Sequence, residues 1–99
     1  MTNIQKMIDA MHKGDKDIIV KCIMSSNPLL QLNAIWAGTK TGLHDDIFIE
    51  GVKNAEASNE ILLGCPIRKF ATASLHLLEI RKYSGTDAQI KSMIRAMIE

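Results

Sequence analysis

Apolar residues recur at helical intervals along nearly the whole chain. Ile4, Met7, Ile8 and Met11 stand at i, i+3, i+4 and i+7, a stripe that covers one side of a helix and stops at Gly14. Thr2-x-x-Gln5 has the form of a capping box, in which hydroxyl and amide satisfy backbone donors at a helix start. Asp15 is placed to cap a second helix carrying Ile18, Ile19, Cys22 and Ile23 on one face, closing at Ser25-Ser26-Asn27-Pro28. Asn27 as cap and Pro28 in the first helical position then open a third helix, on which Leu29, Leu32 and Trp36 align, with Gly38 and Gly42 marking its exit.

Asp45, or His44 before it, precedes a fourth helix with Phe48, Val52 and Ala55 on one face, and DIFIEGVKN here resembles DIIVKCIMS of the second helix. A piece from Ser58 to about Gly64 separates it from Pro66. Pro66 is expected to begin the longest helix, with Ile67, Phe70, Ala71, Ser74, Leu77 and Leu78 facing inward until Ser84-Gly85 stops it. Thr86-x-x-Gln89 repeats the capping-box pattern ahead of a last stripe of Ile90, Met93, Ile94 and Met97. Ile18-Ile19-Val20 and Ile47-Phe48-Ile49 are β-prone, and as strands they would give a small parallel βαβ arrangement. Each stripe continues past its triplet and each follows an Asp suited to capping, so helix is expected at both.

A length of 99 residues, 46% hydrophobic and 23% charged, suits one soluble α-helical domain spanning residues 1–99. Six methionines and few aromatics point to a core of Ile, Leu and Met. No apolar run approaches the roughly 18 residues of a membrane span, and Lys6 and Asp9 interrupt the first stripe where a signal peptide would be apolar. The cytoplasm is the expected location, with no membrane partner. Cys22 and Cys65 stand apart from each other and from any histidine at ligand spacing, so both are expected as core residues and not in a disulfide or zinc site.

Asn27-Pro28 and Cys65-Pro66 open the third and fifth helices alike, at the spacing of about 37 to 38 residues found in paired-helix repeats. PLLQLNAIWAG and PIRKFATASLHLL resemble the second helix of HEAT-like repeats. In that family a Pro leads, an apolar and often a basic residue follow, and small residues allow close helix approach; Ile67, Arg68 and Ala71 fit best, whereas Gln31 stands where a basic residue is commoner. The resemblance implies an all-α fold, a short two-layer right-handed superhelix of about six to seven helices, whose exposed face binds another macromolecule.

No HExxH, GxSxG, P-loop or GxGxxG pattern accompanies His12, His44 and His76, so no enzyme activity, cofactor or metal is expected. His44-Asp45-Asp46 comes nearest to a cation site, but consecutive side chains at a helix start diverge, and acidic residues belong at that end in any case. Charge is more informative. Between residues 41 and 65, Asp45, Asp46, Glu50, Glu56 and Glu60 are opposed by Lys53 alone, although the whole chain is close to neutral at +1. These five are the expected partner-binding residues, because an acidic patch steers a basic partner toward it. By fold-level analogy with small bacterial immunity proteins of the contact-dependent growth inhibition type, the expected partner is a cognate nuclease-type protein toxin whose basic active-site cleft the patch would cover.

The alternative is a nucleic-acid module that contacts phosphates through Arg68, Lys69, Arg81 and Lys82 of the basic final third. A pI near 7.8 and Tyr83 as the nearby stacking ring argue against it. The Ser25-Ser26-Asn27 turn could join a helix-turn-helix, yet Trp36 and the leucines leave few polar side chains for base edges.

Overall fold

The computed structural model describes residues 3–98. They form α1 (Asn3–His12), α2 (Lys16–Ile23), α3 (Pro28–Lys40), α4 (Asp46–Ala55), β1 (Ile61–Leu62), β2 (Cys65–Pro66), α5 (Ile67–Leu77) and α6 (Ala88–Ile98). The fold is all-α. Ile18–Val20 lies inside α2 and Ile47–Ile49 inside α4, and the sheet among the described residues is the short antiparallel pair of β1 and β2. Thr2 of the first capping box lies outside the described residues.

Four helices, α2, α3, α4 and α6, begin where a side-chain oxygen can replace the missing backbone acceptor. Asp15 Oδ1 accepts from Ile18 N at 3.3 Å, Asn27 Oδ1 from Leu29 N at 2.9 Å, and Asp45 Oδ1 from both Ile47 N and Phe48 N at 2.9 and 3.1 Å. Pro28 takes the first position of α3 as expected. Pro66 does not play that part in α5. It is the cap residue, with no side-chain capping bond, and belongs to β2. Cys65 has no oxygen to offer, so the segment is held by pairing with β1, and Ile67 N donates to Glu60 O at 3.0 Å. Leu63 and Gly64 form the hairpin turn at φ 50 and 78, the left-handed pair that suits the strand twist. At α6 the cap is Asp87, one residue beyond the expected Thr86: its Oδ1 accepts from Gln89 N at 2.8 Å and Ile90 N at 3.2 Å.

A shared left-handed cap closes α1, α3 and α5. At the end of α3, Gly42 at φ 66 turns the chain so that Leu43 N donates to Gly38 O at 2.9 Å. Gly38 therefore sits inside α3, not at its exit. Glu79 at φ 61 does the same for α5, with Ile80 N donating to Leu75 O at 3.0 Å. The helix stops at Leu77, well short of Ser84-Gly85, and α3 with 13 residues is longer than α5 with 11.

α3 is the hub of the packing. It contacts α1, α2, α5 and α6, while α2 also meets α4 and α4 meets α5, so α2, α3, α5 and α4 close a ring of neighbours. Being surrounded, α3 buries Leu30, Leu32, Ala34, Ile35 and Ala37, whereas Leu29 is exposed and Trp36 half-buried. The one-sided face of Leu29, Leu32 and Trp36 is thus replaced by burial almost all round. Two glycines set the helix approach of α4: Phe48 lies against Gly38 of α3, and Ile23 of α2 lies against Gly51. Between α3 and α5 the only two buried polar residues among those described satisfy each other. Thr39 Oγ1 donates to Ile35 O at 2.6 Å, which leaves the fully buried Ser74 hydroxyl to donate to Thr39 Oγ1, also at 2.6 Å.

Candidate functional site

The core stripe of α4 is Phe48, Gly51, Val52 and Ala55, and this fixes what the opposite side of the helix presents. Ile47, Glu50 and Asn54 follow one another at i, i+3 and i+7 along that outer side. Met24 caps the C-terminal end of α2 beside it. Ile47 is 57% exposed and Met24 63%, and with Asp46 and Glu50 they line one shallow depression. Met24 also lines the adjoining groove with Ser25, Ser26, Gln31, Asn54 and Glu60. The two depressions share Met24, an apolar centre with a polar and acidic rim.

The five acidic residues divide on this geometry. Asp46, Glu50 and Glu60 are exposed and form no ion pair among the described residues. Asp45 is occupied in capping α4, and its second oxygen lies 3.6 Å from Lys16 Nζ. The amides of Phe48 and Ile47, with Lys16, hold its carboxyl below the usual carboxylate range. Glu56 turns inward: Oε2 accepts from Thr72 Oγ1 at 2.7 Å and Oε1 pairs with Arg81. Met24 and Ile47 escaped the sequence reading. Ile47 carried a legible mark, being a large apolar residue outside the stripe of its own helix.

The basic residues of the final third are similarly divided. Lys69 Nζ lies 2.8 Å from Asp87 Oδ2 and donates to Gln89 Oε1 at 2.7 Å, and Arg81 is held by Glu56. Arg68 and Lys82 are exposed.

His44 does not join Asp45 and Asp46. Its Nδ1 lies 2.9 Å from Gly42 O and its Nε2 2.9 Å from Leu78 O, bridging the turn after α3 to the end of α5. Two carbonyls accept from one ring, a demand that only the imidazolium meets, and they raise its pKa above the ordinary 6.5 with a smaller contribution from Glu79. His12 Nε2 lies 2.8 Å from Asn33 Oδ1, with its ring edge-on to Trp36. Among the described residues, no group of three or more His, Cys, Asp or Glu is arranged to hold a metal ion. Both cysteines are free, and burial pushes their thiols up. Among the same residues no helix is long and apolar enough to cross a membrane.

Comparison of the chain with protein-family models, curated proteins and solved structures finds no match.

Proposed function

We propose that this chain is a non-enzymatic protein-binding module that docks a basic partner on the face formed by the end of α2 and the outer side of α4. The observation that carries the reading is the exposed pair Met24 and Ile47, flanked by Asp46 and Glu50, which have no ion-pair partner among the described residues. An apolar centre supplies affinity once water is excluded, and a charged rim supplies steering and orientation. The partner is a nuclease-type toxin, and the chain acts as its immunity protein, of HEAT-like build, by covering the basic active-site cleft. A cleft shaped for nucleic acid is rich in Lys and Arg, the complement of this rim.

Co-expression with the product of the adjacent reading frame tests the proposal. The expected outcome is a one-to-one complex whose association slows with salt. Asp46→Lys with Glu50→Lys should slow association about tenfold or more, as expected for like-charge rim contacts. Met24→Ala with Ile47→Ala should act on dissociation instead. Unchanged kinetics in both double variants would remove the docking face from consideration, while failure to form any complex would reject the toxin partner.

A further inference from the structure

The end of α5, the connection after it and the middle of α6 frame a separate depression, of about 360 Å³, lined by His76, Tyr83, Gly85, Lys91, Ile94 and Arg95. That volume lies at the small end of the range for ligand sites. The polar side chains in its lining are all donors. His76 Nδ1 accepts from Tyr83 N at 2.9 Å, so the neutral ring carries its proton on Nε2. Tyr83 Oη accepts from Asp87 N at 2.8 Å, and its own proton has no acceptor among the described residues. Lys91 and Arg95, one turn apart on α6, form no ion pair among the described residues. Among the described residues no carboxylate lines the depression; Glu79 lines a separate one with His76 and Lys82.

The tyrosine is held in place by the backbone itself. A Cβ on Gly85 would stand 2.5 Å from Tyr83 Oη and 2.6 Å from Cζ, so only glycine lets the ring lie there. With Ile94 the ring adds apolar surface to a lining that also holds two cations and two neutral donors. We infer that this depression binds a small phosphate monoester bearing an apolar or aromatic group. The dianion offers three acceptor oxygens to the Arg fork, the ammonium and the two neutral donors, and the organic group covers Tyr83 and Ile94. The site shares no residue with the docking face on α4, so it stands apart from the proposed function.

Phenyl phosphate titrated into ¹⁵N-labelled protein at constant ionic strength tests the inference. Saturable shifts are expected at the amides of Tyr83, Gly85, Lys91 and Arg95. Lys91→Ala with Arg95→Ala should weaken binding about tenfold or more, as loss of charge-assisted hydrogen bonds requires. Both side chains are exposed, so an unchanged Tm is expected to accompany the loss. Benzyl alcohol, which keeps the ring and lacks the phosphate, should give no saturable shift. Linear shifts, or binding that survives the double substitution, would overturn the site. Equal binding of benzoate would overturn the phosphate assignment, as would tighter capture of a short oligothymidylate.

Discussion

Replacing Gly38 with alanine tests how α4 is seated on α3. The new Cβ would stand 2.3 Å from Phe48 Cζ and 2.4 Å from Cε1, and the ring it meets is fully buried. Phe48 can yield only by displacing its neighbours. Overpacking of this kind costs about 1–3 kcal/mol, offset by the roughly 0.5–1 kcal/mol gained when alanine replaces glycine in a helix interior. A net loss of about 1 kcal/mol lowers the Tm of a domain this size by roughly 4–8 °C. Thermal and urea unfolding followed by far-UV circular dichroism measure it. Phe48→Leu removes the conflicting ring atoms, so Gly38→Ala should cost less in that background, with a coupling of about 0.5 kcal/mol or more between the two sites. A rise in Tm for Gly38→Ala alone, the usual result in an open helix, would refute the reasoning.

Removing one partner of the Thr39–Ser74 pair tests the buried polar contact between α3 and α5. Thr39→Val strands a fully buried hydroxyl and should cost about 1–3 kcal/mol in urea unfolding; Ser74→Ala should cost less, because Thr39 still donates to Ile35, and the double variant should cost less than the sum. His44 and Asp87 should carry pH dependences of opposite sign. The raised pKa of His44 means that its stabilising contribution is complete below about pH 6.5 and is lost as pH rises through the folded value. The Tm deficit of His44→Gln should therefore be largest in acid and shrink in alkali, and a deficit that grows with pH would contradict the double-donor geometry. Lys69 and the amides of Ile90 and Gln89 hold the carboxyl of Asp87 low, so its contribution is present above the ordinary carboxylate range and disappears as pH falls through the lowered value. Asp87→Ala should thus lower Tm at neutral pH and converge with the wild type in strong acid.

Helix starts were legible where the capping residue carries an oxygen, as Asp15, Asn27 and Asp45 do. Pro66 looked the same as Pro28 because both lead an apolar stripe. What separates them is the residue before: Asn27 can cap, whereas Cys65 cannot and is held by a hairpin instead. The end of α5 was hidden for a related reason. Left-handed caps are read from glycine, and here a glutamate occupies the position. The burial of α3 on nearly all sides depends on four helices arriving around it, which no single stripe encodes. At the candidate site the acidic excess was legible from local sequence. The withdrawal of Glu56 from that surface was not, because its partners Thr72 and Arg81 come from distant segments, whereas the withdrawal of Asp45 follows from its place as the cap of α4.

Cross-saturation from the bound partner onto methyl-labelled Met and Ile residues tests the docking face most directly. Ile98 is 67% exposed and Ile4 37%, so both serve as accessible methyl groups away from α4. The account predicts that the methyl signals of Met24 and Ile47 attenuate strongly while those of Ile4 and Ile98 do not. Attenuation centred on Ile4 or Ile98, with Met24 and Ile47 untouched in a stable complex, would contradict it.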